Sequence, residues 1–329
     1  MLKPHILIIS PALAKANNGN WQTAKRWAHF LRQHYRVSIA AEWDGTPCDA
    51  MIALHARRSA ASIAAFAAAL PDSPLILVLT GTDLYRDIQT DADAQRSLQL
   101  ATRLVILQAA GLQALSADLH HKTQVIHQST RTLKPVTRAP SAKQRHFNIT
   151  MIGHLRDEKD PATFMRAAQL VHAPQIRLIH IGGALSPELG QRAKQTQREE
   201  HRYRWLGNLP HAATRQHLKH SHAMVIASRM EGGANVIIEA ITSGVPVLAS
   251  DISGNRGMLG DDYAGYFPPG DCRELARLID QTVSDPAFYA QLQSQCAARA
   301  PLFLPEREKT AVLQLVDNLI HTTHSTEPK

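Results

Sequence analysis

The chain has 329 residues, 44% of them hydrophobic and 19% charged, a globular composition that is too long for one ordinary core and fits two domains. Its longest near-apolar run, residues 60–70, is too short to span a bilayer, and the opening MLKPHILII reads as a first strand without a signal-peptide core. The formal charge of +8 admits nucleic acid, an anionic membrane or an anionic small molecule as partner. Scattered Lys and Arg with no aromatic-basic stripe make nucleic acid the weakest of these and leave a plain solvated surface as the alternative.

Short apolar runs at residues 5–9, 37–40, 51–54, 75–79 and 104–107 alternate with longer helical patterns. Runs that are apolar throughout predict strands buried on both faces, as in a parallel sheet flanked by helices. Residues 130–146, TRTLKPVTRAPSAKQRH, carry two prolines, little apolar content and many cations, and read as a linker. A second series follows at 148–153, 176–182, 223–227 and 245–249. The pattern predicts two Rossmann-like α/β domains with a cleft between them. Cys48, Cys272 and Cys296 are odd in number and far apart, so neither a disulfide framework nor a zinc pair follows; a reducing cytoplasm is the simplest location.

The stretch SRMEGGANVIIEAITSGVPVLASD, residues 228–251, holds the strongest site signal. It predicts a loop at 228–234 after a strand, Asn235 as cap of a helix over 236–243, and Gly244 just past the helix end. Such a loop lies at the carboxyl edge of an open parallel sheet, where ligands bind. Gly232 and Gly233 allow close approach of the backbone, and Ala234, Asn235 and Val236 bring helix-start amides to a phosphate. Glu239 lies about one turn along, roughly 6 Å down the axis, placed to accept both hydroxyls of a ribose. Glu231, before the glycines, faces the hexose beyond the diphosphate. The bland alternative is a surface loop with an incidental glutamate; the strand–loop–helix context favours the ligand site.

The spacing of Glu231 and Glu239, followed by Ala240, SGVPVLASD and GYFPPGD, resembles the C-terminal domain of GT-B glycosyltransferases, specifically the retaining family 4. IGHLRDEKDP, residues 152–161, is similar to that family's loop whose arginine and lysine grip the donor diphosphate. Lys159 falls on the lysine, His154 stands where the arginine normally does, and Arg156 is the candidate for the missing charge. LGNLP, residues 206–210, resembles the loop that holds the base. Gly257 in SGNRGM departs from the glutamate often found there. NNGNWQTAKRW, residues 17–27, stands at the place of the acceptor loop; it is no G-x-G-x-x-G fingerprint, which disfavours a dehydrogenase. Thr80-Gly81-Thr82-Asp83 resembles a His-Gly-Thr-Asp motif with threonine for histidine. Surface solubility would explain any one of Arg57, Arg58 and Arg86, but three cations at strand ends suggest an anionic acceptor.

Taken together, NNGNWQT, LHARRS, GHLRDEKDP, EGGAN and GNRGM look like one subgroup, the selenosugar synthases of selenoneine biosynthesis, over residues 1 to about 300. The resemblance implies an acceptor-side domain at 1–130, a basic linker at 131–146, a nucleotide-sugar domain at 147–300 and a C-terminal helix and tail at 301–329 that packs back toward the first domain. It implies transfer of N-acetylglucosamine or glucose from a UDP-sugar to selenophosphate, without cofactor or metal. Lys159, Arg156 and Glu231 would act on the donor. Asn18, Gly19 and Asn20, with Arg57, Arg58 or Lys25 near, would cradle the anion, and Thr80 and Asp83 are further substrate-binding candidates. His217, His220 and His222, like His120 and His121, have no accompanying ligand motif and read as exposed helix residues. An ordinary family 4 enzyme acting on a hydroxyl acceptor, lipid-linked or small, and a non-catalytic nucleotide-sugar module are the alternatives. Membrane contact is admitted only by the former.

Overall fold

The computed structural model describes residues 3–13, 19–136 and 146–324, with side chains to residue 321. The chain divides into two compact units, one of Met1–Ser129 with Pro305–Lys329 and one of Thr130–Leu304.

Unit 1 carries a sheet of β1 (His5–Ile9), β2 (Arg36–Ala40), β3 (Ala50–Leu54), β4 (Leu75–Leu79), β5 (Arg103–Ile106) and β6 (Thr123–Val125). The strands are parallel and ordered β2-β1-β3-β4-β5-β6. Side chains alternate across a strand, so Ile6 and Ile8 enter one core layer while Leu7 and Ile9 enter the other. The first layer includes Trp27 and Leu31 of helix Gly19–Leu31, and Val312, Leu315, Val316, Leu319 and Ile320 of helix Pro305–His324. The second is closed by Ile63 and Phe66 of helix Ala60–Ala69. Glu308 fastens the last helix in place. Buried itself, its carboxylate accepts from Arg26 Nε at 2.7 Å, Trp27 Nε1 at 2.8 Å and the amide and hydroxyl of Ser129 at 2.7 and 2.5 Å. A buried carboxylate is tolerated only with such saturation.

Unit 2 repeats the plan with β7 (Phe147–Ile152), β8 (Ile176–Ile181), β9 (Tyr203–Trp205), β10 (Ala223–Ile226), β11 (Val247–Ser250) and β12 (Tyr266–Phe267). Their order is β12-β11-β10-β7-β8-β9, again parallel. Here one continuous core joins both faces. The direction of winding reverses between β7 and β10 in this sheet, and between β1 and β3 in the other. Ligands of open α/β sheets bind outside the carboxyl ends of strands at such switch points.

Three strands were not predicted: β6, β9 and β12 have two or three residues each, too short to show a pattern. Of the linker, residues 137–145 lie outside the described residues, and 131–136 have no regular structure. The buried guanidinium of Arg215 holds its start by donating to Thr130 Oγ1 at 2.6 Å and the Arg131 carbonyl at 3.1 Å.

Candidate functional site

The switch point of unit 2 brings together two of the residues singled out in the sequence. Lys159 follows β7 in a short 3₁₀ turn, Asp157–Lys159, and Glu231 follows β10. The Lys159 ammonium donates to Glu231 Oε1, which also accepts from the buried Ser228 hydroxyl at 2.6 Å. Both loops are fixed from behind. Asp160 takes left-handed backbone, φ +43°, and caps helix Pro161–Ala168 by accepting from Thr163 N at 3.3 Å and Thr163 Oγ1 at 2.9 Å. Such backbone costs a non-glycine residue about 1–3 kcal/mol, offset here by the cap. Arg229 joins the loops, its amide donating to the Glu158 carbonyl at 2.9 Å and its Nε to Asp160 Oδ2 at 3.3 Å. Gly254, in helix Ser253–Leu259, lies so close that a Cβ there would meet the Glu231 carbonyl oxygen at 1.8 Å. Only glycine fits against that loop.

Glu239 is buried in helix Asn235–Ile241, and its Oε1 accepts from His211 Nε2 at 2.7 Å. His211 starts helix His211–Lys219, directly after LGNLP. One carboxylate oxygen is thus engaged, which corrects the expectation of two oxygens open to a diol. Asn235 is also corrected. It is the first helical residue, and the cap position is Ala234, which has no side-chain acceptor to offer. The opening amides of this helix are therefore not capped from within. Gly233, Asn235 and Val236 are half-buried, while Gly232 and Ala234 are buried.

His154 is half-buried beside Lys159, and its Nδ1 accepts from the Gly183 amide at 3.1 Å. Burial holds its pKa below the ordinary imidazole value, and Arg156 lowers it further. It is a neutral dipole where the family pattern has a cation. Arg156 is 40% exposed, 3.9 Å from Glu158. Gly257 sits inside helix Ser253–Leu259, its carbonyl accepting from Arg299 at 3.0 Å.

In unit 1, Gly19 and Asn20 open helix Gly19–Leu31, exposed and half-buried respectively; Asn18 lies outside the described residues. Asp83 is fully buried and accepts from the amides of Ala56, Thr80 and Gly81 at 3.0, 2.9 and 2.8 Å. Its expected contact with substrate is corrected to a structural one, because amides that would otherwise be orphaned take its oxygens. Thr80 is half-buried, its amide committed to Asp83. Arg57 pairs with Asp91 at 2.9 Å and lies 3.9 Å from Asp87; Arg86 pairs with Asp87 at 3.1 Å. Two of the three cations are therefore partly neutralised.

Sequence reasoning missed His211, Ser228 and His55. Only His211 carried a signal, as the residue following LGNLP. Among the described residues no group of three or more His, Cys, Asp or Glu side chains is placed to hold a metal ion, and no helix is long and apolar enough to cross a membrane.

A family model described as glycosyl transferases group 1 matches residues 134–301, about half of the chain. Among curated proteins, the UDP-Gal:alpha-D-GlcNAc-diphosphoundecaprenol alpha-1,3-galactosyltransferase of Escherichia coli is 27% identical over 133 residues, covering 38% of this chain and 33% of that protein. The chain thus spans about a third of that relative's length. Among solved structures, a sucrose-phosphate synthase from Thermosynechococcus elongatus superposes with a TM-score of 0.79 at 17% identity, over 97% of this chain and 100% of the other. Anabaena Alr3699/HepE in complex with UDP-glucose does so with 0.72 at 19% identity, over 96% and 100%. At such identities these likenesses speak for the fold.

Proposed function

The chain belongs to the glycosyl transferases group 1 family and has a GT-B fold, and from that premise we propose that it moves N-acetylglucosamine or glucose from a UDP-sugar to selenophosphate, the selenosugar synthase step of selenoneine biosynthesis. The observation that carries the donor half is the contact of Lys159 with Glu231 at the switch point of unit 2, with Glu239 eight residues further on. Before a ligand arrives, Lys159 is held by a carboxylate. A diphosphate takes over the lysine, and the freed Glu231, still held by Ser228, accepts from a hexose hydroxyl. Arg156 adds charge, and the backbone of Gly232, Gly233, Ala234, Asn235 and Val236 donates to phosphate oxygens. Glu239 receives the ribose, with His211 keeping the carboxylate oriented. The relatives bound to UDP and UDP-glucose support a UDP-sugar as donor.

In the reaction, selenium attacks the anomeric carbon, a C–Se bond forms, the C–O bond to the diphosphate breaks, and its electron pair leaves on UDP. Preorganised cations at the leaving group lower the barrier as charge develops there. Selenophosphate is already an anion, so no base is needed. The free cysteines, two of them buried, suit the reducing cytoplasm that a selenium nucleophile requires. The test is to incubate the protein with UDP-N-acetylglucosamine or UDP-glucose and selenophosphate and to examine products by mass spectrometry. A selenium-containing hexose with stoichiometric UDP is expected; UDP release only with hydroxyl acceptors would overturn the selenium assignment. The activity for which the Escherichia coli relative is named makes a hydroxyl acceptor the second reading.

A further inference from the structure

His55 directly follows β3 at the switch point of unit 1, with φ +75°. Among the described residues it shares positive φ outside glycine only with Asp160, whose strain serves a helix cap. The strain at His55 instead presents a ring. The side chain is 3% exposed, and its two nitrogens have different neighbours. Nδ1 accepts from the Arg58 amide at 3.3 Å, so the neutral ring carries its proton on Nε2 and donates it to Thr82 Oγ1 at 3.0 Å. Burial keeps the ring neutral although Asp83 Oδ2 lies 4.0 Å from Nδ1 and Asp87 Oδ2 3.8 Å from Nε2. Thr82 is half-buried after β4, and with its oxygen accepting from His55 its own hydroxyl proton has no acceptor among the described residues. The surrounding charges are layered. The side chains of Asp83 and Asp87 are 0% and 5% exposed, whereas those of Arg57 and Arg86, both paired with Asp87, are 55% and 49% exposed. Positive charge faces outward.

We infer that His55 is a positioning residue that fixes the Thr82 hydroxyl as a hydrogen-bond donor, and that Thr82 with Arg57 forms an oxyanion subsite at the carboxyl ends of β3 and β4. It rests on the transferase reading and gives roles to His55 and Thr82 beside Arg57, which the resemblance had already placed on the acceptor side. A neutral imidazole is suited to the task, since a charged one would donate from Nδ1 against the Arg58 amide and break the arrangement.

The test is calorimetric titration of the UDP-loaded protein with inorganic thiophosphate, a non-selenium oxyanion of the same shape. Thr82→Val should weaken binding at least fivefold, and Thr82→Ser should stay within twofold of wild type. His55→Asn tolerates left-handed backbone but shortens the reach. It should weaken binding as Thr82→Val does, with the double variant no worse than either. UDP affinity should not move in any of them. Thermal unfolding checks that each variant folds; should His55→Asn fail there, the two Thr82 variants decide. Absence of saturable thiophosphate binding by wild type, Thr82→Val within twofold of it, or single effects that multiply would overturn the proposal. Binding with the expected losses but no sugar transfer to any oxyanion would leave this subsite standing and sink the transferase reading instead.

Discussion

The two switch points use their carboxylates in opposite ways. In unit 2, Glu231 holds the side chain of Lys159, a group that a ligand can draw away, and Glu239 holds that of His211 through one oxygen. In unit 1, Asp83 holds three backbone amides, which no small molecule replaces without undoing the loop. Sheets of one plan thus carry one edge of exchangeable partners and one of permanent partners, with the outward donor of the second left to Thr82. What a carboxylate does at a sheet edge depends on whether its partner is a side chain or the main chain.

Asp83→Ala tests the permanent kind and should have the largest effect. Three buried or half-buried amides lose their acceptor, and about 4 kcal/mol of stability should go with it. Urea unfolding measures this, and a loss below about 1 kcal/mol would show that the loop finds other acceptors. Lys159→Ala tests the exchangeable kind. Stability should change little, while sugar transfer slows by roughly 100- to 1000-fold, about 3–4 kcal/mol in the barrier; a steady-state rate within tenfold of wild type would remove the lysine from the leaving group. Glu239→Gln keeps the shape and the contact to His211 while removing charge. UDP affinity should fall by about 1.5–3 kcal/mol with unfolding unaffected, as calorimetry would show.

A smaller effect crosses both units. Burial holds His55, His154 and His180 below the ordinary imidazole pKa of 6.5, His180 at about 4. Unfolded histidines take up protons that the folded ones refuse, so stability is complete above about pH 6.5 and falls as pH drops toward 4. His180 alone should cost about 1 kcal/mol by pH 6. The Tm should therefore hold near pH 7.5 and decline as pH falls from about 6.5 to 5.5, and a profile flat or rising over that lower range would contradict the neutral, buried rings.

The sheets were legible because a strand buried on both faces must be apolar throughout, as in His5–Ile9 and Leu75–Leu79. Thr123–Val125 and Tyr203–Trp205 are short and only partly buried, and composition cannot distinguish them from loop. Candidate site residues next to strand ends, such as Lys159 and Glu231, were legible for the same reason: strand ends locate the edge of an open sheet where ligands bind. Partners brought in from elsewhere were not. His211 meets Glu239 across 28 residues, and nothing periodic in the sequence encodes that meeting. The left-handed backbone of His55 was invisible too, because positive φ is ordinarily signalled by glycine or asparagine. The cap expected of Asn235 failed by one residue, the usual scale on which helix starts shift.

The helix Pro305–His324 contributes to the core of unit 1 across the whole of unit 2. On a ribosome, residues 3–129 emerge first yet lack the apolar face of Val312, Leu315, Val316, Leu319 and Ile320, and lack Glu308, whose carboxylate holds Ser129. Unit 2, a continuous run from Thr130 to Leu304, has its entire core by the time it has emerged. Domains ordinarily fold in the order they are made. Here unit 1, begun before unit 2, is completed after it, and until then one face of its sheet lacks the cover of that helix.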